Sequence, residues 1–568
     1  MVSDCSADDS DYRTLLSPFS LLVVIRTFTE LDRVDTLLEA LHPESPHIKF
    51  VVEPGSKFAR GLGAHIEELG HHVLTWAEAQ AKRFDVILAA HATPALGDLH
   101  GPVVVVPHGA GYHRIVEWST GSARYPTGLV KSQLTKPSGE VIPSAICMSH
   151  EDQIGQLAES APDAVDRAVV IGDLVFDRIV ASRTRREEFR DRFGVLPGQK
   201  LVAVTSTWGE YATMRTAKRL VRNLLGQLPM DHYRVLLIMH PNVWSADSQA
   251  AIMDQLRDAR DSGLVIVPQR TPWEAGLIAA DVVLGDHSSL SIYAAAIGCR
   301  FLLASDGSKE LVPDSPLARL CAQATRLDVD GDLRRQIEDH VGSPPRFSAE
   351  EIASTIFQER KRSWANFRSV VRSRAGLPDL VEPPRTTPVD DPKPDFGRRV
   401  TSWVATVTSD AGDQPGTGTV RIERYPGVVA EPSLHVDAWR VADYAETNDA
   451  SRYNCELLLH AHPLSRLDGE KWALNVLQLQ PAAHDDTVGA GPPSGARNTG
   501  VAAYRHEGGC AVRFVDGTRI EVGTEDVFAA AVALYRLWYD GHPLDRPGNV
   551  AYSFRPGEVE KFGYTPAP

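Results

Sequence analysis

Cysteine is scarce in this chain, with six in 568 residues: Cys5, Cys147, Cys299, Cys321, Cys455 and Cys510. No two stand at C-x-x-C spacing, so neither a zinc ribbon nor a dithiol redox motif is expected. Scattered single thiols fit a reducing compartment. Long apolar runs are missing as well. The longest, such as Val103–Val106 and Val235–Met239, are strand-sized and far below the ~20 residues that span a bilayer. The segment Met1 to Tyr12 is polar and acidic, unlike a signal peptide, and a cytoplasmic location is expected. Positive charge is in deficit too: 59 Lys and Arg against 74 Asp and Glu give a net charge of −15. That balance argues against a general nucleic-acid partner. What is present, 43% hydrophobic and 23% charged residues, excludes disorder, and the length allows roughly three to four domains.

From Leu21 onward, short runs rich in Val, Ile and Leu alternate with amphipathic stretches. The runs are Leu21–Ile25, Ile48–Val52, Val73–Trp76, Asp85–Ala89, Val103–Pro107, Ala145–Met148 and Val169–Gly172. After a charged helix at Arg183–Phe193 the pattern restarts with Leu201–Thr205, Arg234–Met239, Leu264–Val267, Asp281–Leu284 and Phe301–Ala304. Continuous apolar strands separated by helices predict parallel sheets covered on both faces. The expected fold is therefore α/β: two doubly wound, Rossmann-like lobes over 1–182 and 183–375, with Ser348–Arg374 as closing helices and a cleft between them. Six prolines between Pro378 and Pro394 make 376–399 an extended linker.

Beyond the linker, Ser402–Thr408, Gly418–Glu423, Glu456–His462, Ala473–Gln480, Cys510–Val515 and Thr518–Val522 alternate apolar and polar residues. This period of two predicts an antiparallel sheet with one buried face. Asp516-Gly517 is its hairpin turn. A helix follows, with Val527, Ala530, Ala531, Leu534, Tyr535, Leu537 and Trp538 on one face. Residues 400–568 thus read as a separate α+β, β-rich module that recognises the acceptor or a partner. Pro481–Gly500 reads as a loop.

Chemistry-bearing residues gather at predicted strand ends, where ligands of doubly wound sheets bind. His108 leaves a buried strand, followed by Gly109 and Gly111, which let backbone approach a ligand, and by His113. Imidazole suits proton abstraction from a hydroxyl near neutral pH. His240, before Pro241, ends another strand. Asp286-His287-Ser288-Ser289 leads from a strand into the apolar helix Ile292–Ile297, offering hydroxyls and helix-start amides to a phosphate, or merely an N-cap. Ser206-Thr207-Trp208 follows a third strand, where a phosphate or an inter-lobe hinge fits. Val170–Asp177 contributes Gly172, Asp173 and Asp177 at a fourth.

In this order the motifs resemble the CDP-glycerol glycerophosphotransferases, the teichoic-acid polymerase family, which is similar in fold to two-lobed B-type glycosyltransferases and UDP-N-acetylglucosamine 2-epimerases. The resemblance covers roughly residues 100–305 and rests on His108-Gly109, Gly172 with Asp177, Ser206-Thr207-Trp208, His240-Pro241 and Asp286-His287-Ser288-Ser289. Ser206 stands where the family carries proline, and Pro107 where it carries an aromatic. The resemblance implies a nucleotide donor on the second lobe, with Thr207, His240, Asp286, Ser288 and Ser289 about its phosphates. It implies an acceptor on the first lobe near Gly109 and His113, and His108, with His240, as the catalytic pair. The implied reaction moves a polyol phosphate from a CDP-activated donor to an acceptor hydroxyl. No carboxylate pair stands at metal-ligand spacing, so a reaction without metal or cofactor is expected. Transfer from an NDP-sugar, a 2-epimerase-like reaction, or a non-catalytic scaffold are the alternatives.

Two features lie outside this pattern. His460 and His462 share a strand face, without a third ligand in register. The basic stretch Arg360–Arg374, with Trp364 and Phe367, is either a solvated helix or a contact for an anionic membrane surface.

Overall fold

The computed structural model describes residues 17–43, 45–115, 125–246, 248–410, 419–430, 438–478, 499–555 and 557–567. Cys5, the first sixteen residues and nearly all of the expected loop 481–500 lie outside them. The first lobe is built on β1 (Ser20–Ile25), β2 (His47–Val52), β3 (Val73–Leu74), β4 (Val86–Ala89), β5 (Val103–Val105), β6 (Pro143–Met148) and β7 (Ala168–Val170). They form one sheet in the order β3-β2-β1-β4-β5-β6-β7, with every pairing parallel. Both faces are covered, which is why β4 and β5 are apolar at every position and buried throughout. Its helices include α1 (Phe28–Glu39) and α2 (Leu174–Ser182).

The second lobe repeats the arrangement with β8 (Lys200–Ser206), β9 (Tyr233–Met239), β10 (Val265–Val267), β11 (Val282–Gly285), β12 (Arg300–Leu303) and β13 (Thr325–Arg326), in the order β10-β9-β8-β11-β12-β13. Around it lie α3 (Pro241–Ala246), α4 (Trp273–Ala279) and α5 (Ser289–Ala296). Strand order reverses between β1 and β4 in one lobe and between β8 and β11 in the other, the switch points where such sheets open a crevice.

The closing helix α6 (Ser363–Arg374) crosses back onto the first lobe, where Trp364, Phe367 and Val371 join the core of β1, β4 and β5. Asp177 on α2 fixes this crossing, accepting from the amides of Lys361 (2.7 Å) and Ser363 (3.2 Å) and from the Ser363 hydroxyl (2.5 Å). Gly172 packs beneath it, against the Gln358 carbonyl. Trp364 and Phe367 are therefore core, at 2% and 0% exposure, so this helix is neither the wholly solvated one expected nor one that turns its aromatics to a membrane. No helix among the described residues is long and apolar enough to cross a membrane.

The segment 376–399 contains no helix. It is pinned to both lobes: the Ser182 hydroxyl at the end of α2 accepts from the Val389 amide (2.8 Å), and Asp395 pairs with Arg260 and with the backbone of Ile266 in the second lobe.

The C-terminal module is a closed nine-stranded barrel. It comprises β14 (Ser402–Asp410), β15 (Thr419–Pro426), β16 (Ala438–Asp443), β17 (Leu457–Leu464), β18 (Val501–His506), β19 (Gly509–Phe514), β20 (Arg519–Val522), β21 (Gly548–Ser553) and β22 (Glu560–Pro566), closing in the order β14-β15-β21-β22-β20-β19-β18-β17-β16. The expected strand at Ala473–Gln480 is instead part of a helix, α7 (Arg466–Gln478). Trp472, Ala473, Val476 and Leu477, at helical spacing, pack on Tyr504 and its neighbours. Gly469 is needed there, because a Cβ would run into the Tyr504 ring.

The last helix, α8 (Val527–Tyr539), does not present one apolar face to a sheet. Every residue from Val527 to Tyr535 is buried, and α8 packs against β14, β15, β17, β18, β19 and β21. It fills the barrel, as a helix that is apolar all round must. Asp516-Gly517 joins the antiparallel β19 and β20, as the turn chemistry indicates. His460 stacks on Tyr444 (5.3 Å between centroids) and meets the edge of Trp472, with Nδ1 against the His462 carbonyl.

Candidate active site

The carboxyl ends of both sheets face one cavity of about 1000 Å³, lined by Arg26, His91 and His108 of the first lobe and Thr207, His240 and Ser288 of the second. Contacts between the lobes hold the walls together. Ala110 N–H donates to Ser289 Oγ (3.4 Å), so closely that a Cβ on Gly109 would come within 2.6 Å of that oxygen. Arg114 pairs with Glu310 (2.5 Å) and lies over the Trp208 ring (4.4 Å). Trp208 meets Phe58 edge-on at 5.2 Å. Behind them, Asp173 on the first lobe accepts from Arg33 (2.9 Å) and from the hydroxyl of Tyr293 on α5 (3.1 Å).

His240 directly follows β9. Its Nδ1 accepts the amide of Asn242 at the start of α3 (3.1 Å), which fixes the proton of the neutral ring on Nε2. Burial, with His108 and Arg114 nearby, pushes its pKa down to about 3. The neutral ring is thus a hydrogen-bond donor at neutral pH. His108 lies three residues past β5 and its ring stands open to the cleft. Neither ring nitrogen makes a hydrogen bond among the described residues. Desolvation between the walls holds its pKa below the ordinary value, against the pull of Glu30, and His91 and Arg114 add to the lowering.

The chain runs from β11 through Asp286 into α5. Asp286 is fully buried, and its Oδ2 accepts from the amides of Thr207 (2.8 Å) and Thr213 (3.0 Å) and from the Thr213 hydroxyl (3.1 Å). Burial raises its pKa. Asp286 therefore joins the loop after β8 to the loop after β11 and does not reach a donor, a correction to its expected role. Thr207 is brought to the cleft beside it. His287 is buried and bonded to Glu310 (2.9 Å). Ser288 is the N-cap of α5, yet its hydroxyl does not cap; Oγ is buried without a hydrogen-bond partner. Ser288, Ser289 and Leu290 line the cavity, and first-turn amides have no partner within their own helix. His113 is 6% exposed, with Nε2 on the Ala110 carbonyl (2.5 Å), so it shapes the loop carrying His108 while lining the cavity.

The sequence reading missed a charged cluster at the first lobe's switch point. Glu53 follows β2 and His91 lies two residues past β4. His91 sits between Glu30 (3.1 Å) and Glu53 (2.8 Å), and Glu53 also accepts from Thr93 (2.8 Å). Burial alone would depress His91, but the two carboxylates raise it to about 9. Polar residues immediately after apolar strands were the available signal, the same one that exposed His108 and His240.

No family profile and no curated protein matches the chain. Solved structures overlap it weakly. The wall teichoic acid polymerase TagF does so over 63% of this chain and 89% of its own, at 11% identity and a TM-score of 0.40. S. aureus MnaA with UDP does so over 64% and 98%, at 11% identity and a TM-score of 0.41. The UDP-GlcNAc 2-epimerase of Methanocaldococcus jannaschii does so over 59% and 98%, at 12% identity and a TM-score of 0.36. Likeness at this level carries no argument about the chemistry of the cleft.

Proposed function

We propose that this chain transfers a polyol-phosphate group from a CDP-activated donor to an acceptor hydroxyl in the inter-lobe cleft. The observation that carries the reading is the start of α5. The buried Ser288 hydroxyl, beside the Asp286 carboxylate, and the helix-start residues Ser289 and Leu290 line the same cavity as the Nε2–H of His240 and the ring of His108. Helix-start amides and neutral donors suit a diphosphate, whose charge the helix dipole favours.

In this reading the diphosphate lies against Ser288, Ser289 and His240. His108, kept neutral by its lowered pKa, takes the proton of the acceptor hydroxyl. The acceptor oxygen then attacks the distal phosphorus in line, and the bond from that phosphorus to the bridging oxygen breaks. CMP leaves with that oxygen, its charge met by the α5 amides and His240. Catalysis is thus mostly positioning and charge stabilisation. The barrel supplies none of the described residues lining the cavity, so the acceptor role expected of it is not met at the cleft.

CMP release from CDP-glycerol, assayed with the full chain, tests the reading. His108→Ala is expected to lower turnover by roughly 10²–10⁴-fold, the usual share of general-base catalysis, while CDP-glycerol affinity stays within a few fold. Unchanged turnover removes the role of His108. Preference for UDP-sugars over CDP-glycerol replaces the reading with sugar transfer.

A further inference from the structure

One wall of the cleft carries more negative charge than its neighbours neutralise. Along α1, Thr29, Asp32, Thr36 and Glu39 recur at helical spacing with Asp35 beside them, and all five line the cavity. Glu274, at the start of α4, faces them from the second lobe. Two arginines answer this charge. Arg178 reaches Glu39 (3.7 Å), Asp390 (3.5 Å) and the Thr36 hydroxyl (3.2 Å). Arg270 reaches Asp35 (3.7 Å) and His65.

Asp32 and Glu274 are left over. Neither makes an ion pair or a hydrogen bond to another residue among the described ones; the Glu274 carboxylate meets its own amide, and burial raises its pKa against the pull of Arg178. Glu274 is 7% exposed. Burial, with Asp35 and Glu274 nearby, pushes the Asp32 pKa up to about 8 against the pull of Arg270.

We propose that Asp32 and Glu274 form a subsite for an organic cation, the ammonium group of an amine-bearing acceptor, and this rests on the cleft being a transferase site. Three observations select that occupant. The donor's diphosphate is anionic and would be repelled here, which leaves the second substrate. Among the described residues, no group of three or more His, Cys, Asp or Glu side chains is arranged to hold a metal ion. An ammonium needs no such convergence, because its three N–H donors reach separate oxygens. Trp273, lining the cavity next to Glu274, adds an aromatic face suited to a cation.

Calorimetry on the full chain tests this with glucosamine and ethanolamine as probes, glucose and ethylene glycol as their neutral counterparts, and CMP titrated in parallel. Each amine is expected to bind about tenfold or more tighter than its counterpart, and Asp32→Asn/Glu274→Gln to weaken the amines by about tenfold. Amines that bind no better than the neutral probes, or equally well to the variant, overturn the subsite. Thermal unfolding without ligand gives a second reading. The double variant, relieved of two carboxyls whose ionisation burial opposes, is expected to melt higher, and a lower melting temperature overturns the proposal by making the carboxyls structural. A chain that binds amines but not CMP sinks the donor reading and leaves the subsite standing.

Discussion

Single residues decide what the cleft can do, and their neighbours decide what each residue can do. His108 and His240 both leave buried strands and look alike in the sequence. One keeps both nitrogens free; the other spends Nδ1 on the Asn242 amide and offers only Nε2–H. That difference was not legible, because it depends on where a helix start falls in space. Asp286 and His113 were legible as polar residues near strand ends, but not as groups already committed to Thr207, Thr213 and Ala110. His91 gives this scale its prediction. Its pKa is raised from 6.5 to about 9 by Glu30 and Glu53, against the effect of burial. Both carboxylates are in turn lowered by His91, again against burial. A raised histidine stabilises the fold fully below its unfolded pKa and loses that contribution as pH rises through the folded one. In urea denaturation, the stability gap between wild type and His91→Gln is expected to be widest near pH 6 and to close by about pH 10. A gap that does not change with pH would count against the ion pairs.

At the scale of elements, periodicity was a good guide wherever one face of a segment meets water or a sheet is covered on both sides. It misled where packing took a third form. Ala473–Gln480 alternates like a strand, yet α7 lies flat on Tyr504 because Gly469 lets it approach. The side chains of α8 were sorted onto one face, but the barrel closes around the whole helix. Ala529, Ala530, Ala531 and Ala533 are all fully buried, and their small size is what admits a helix to the interior. Ala531→Leu forces three methylenes' worth of extra volume into that space, and overpacking of this kind costs typically about 1–3 kcal/mol. Chemical denaturation of the full chain is expected to show that loss. A neutral substitution would mean that the barrel has slack around the helix.

For the whole molecule, the order of motifs along the chain announced two lobes, but not how they meet. The contacts joining them are long-range: Arg114 to Glu310, Ala110 to Ser289, Asp173 to Tyr293. The return of α6 to the first lobe was equally hidden, since its apolar residues do not reveal which core receives them. The barrel is fixed to the second lobe by two ion pairs, Arg334 with Glu423 (2.9 Å) and Arg424 with Asp231 (2.5 Å), and by the Met230 amide on the Arg424 carbonyl (2.8 Å). It therefore travels with the lobe that carries α5. The net charge of −15 describes none of this, because the cleft sets helix-start amides against one part of its lining and unpaired carboxylates against another. The proposed donor site at α5 is tested most directly by calorimetric titration of CDP into the wild-type chain and into Ser288→Ala/Ser289→Ala. The wild type is expected to bind CDP, and the double variant to bind it about tenfold or more weakly. Equal affinities, or no binding by the wild type, would contradict the assignment.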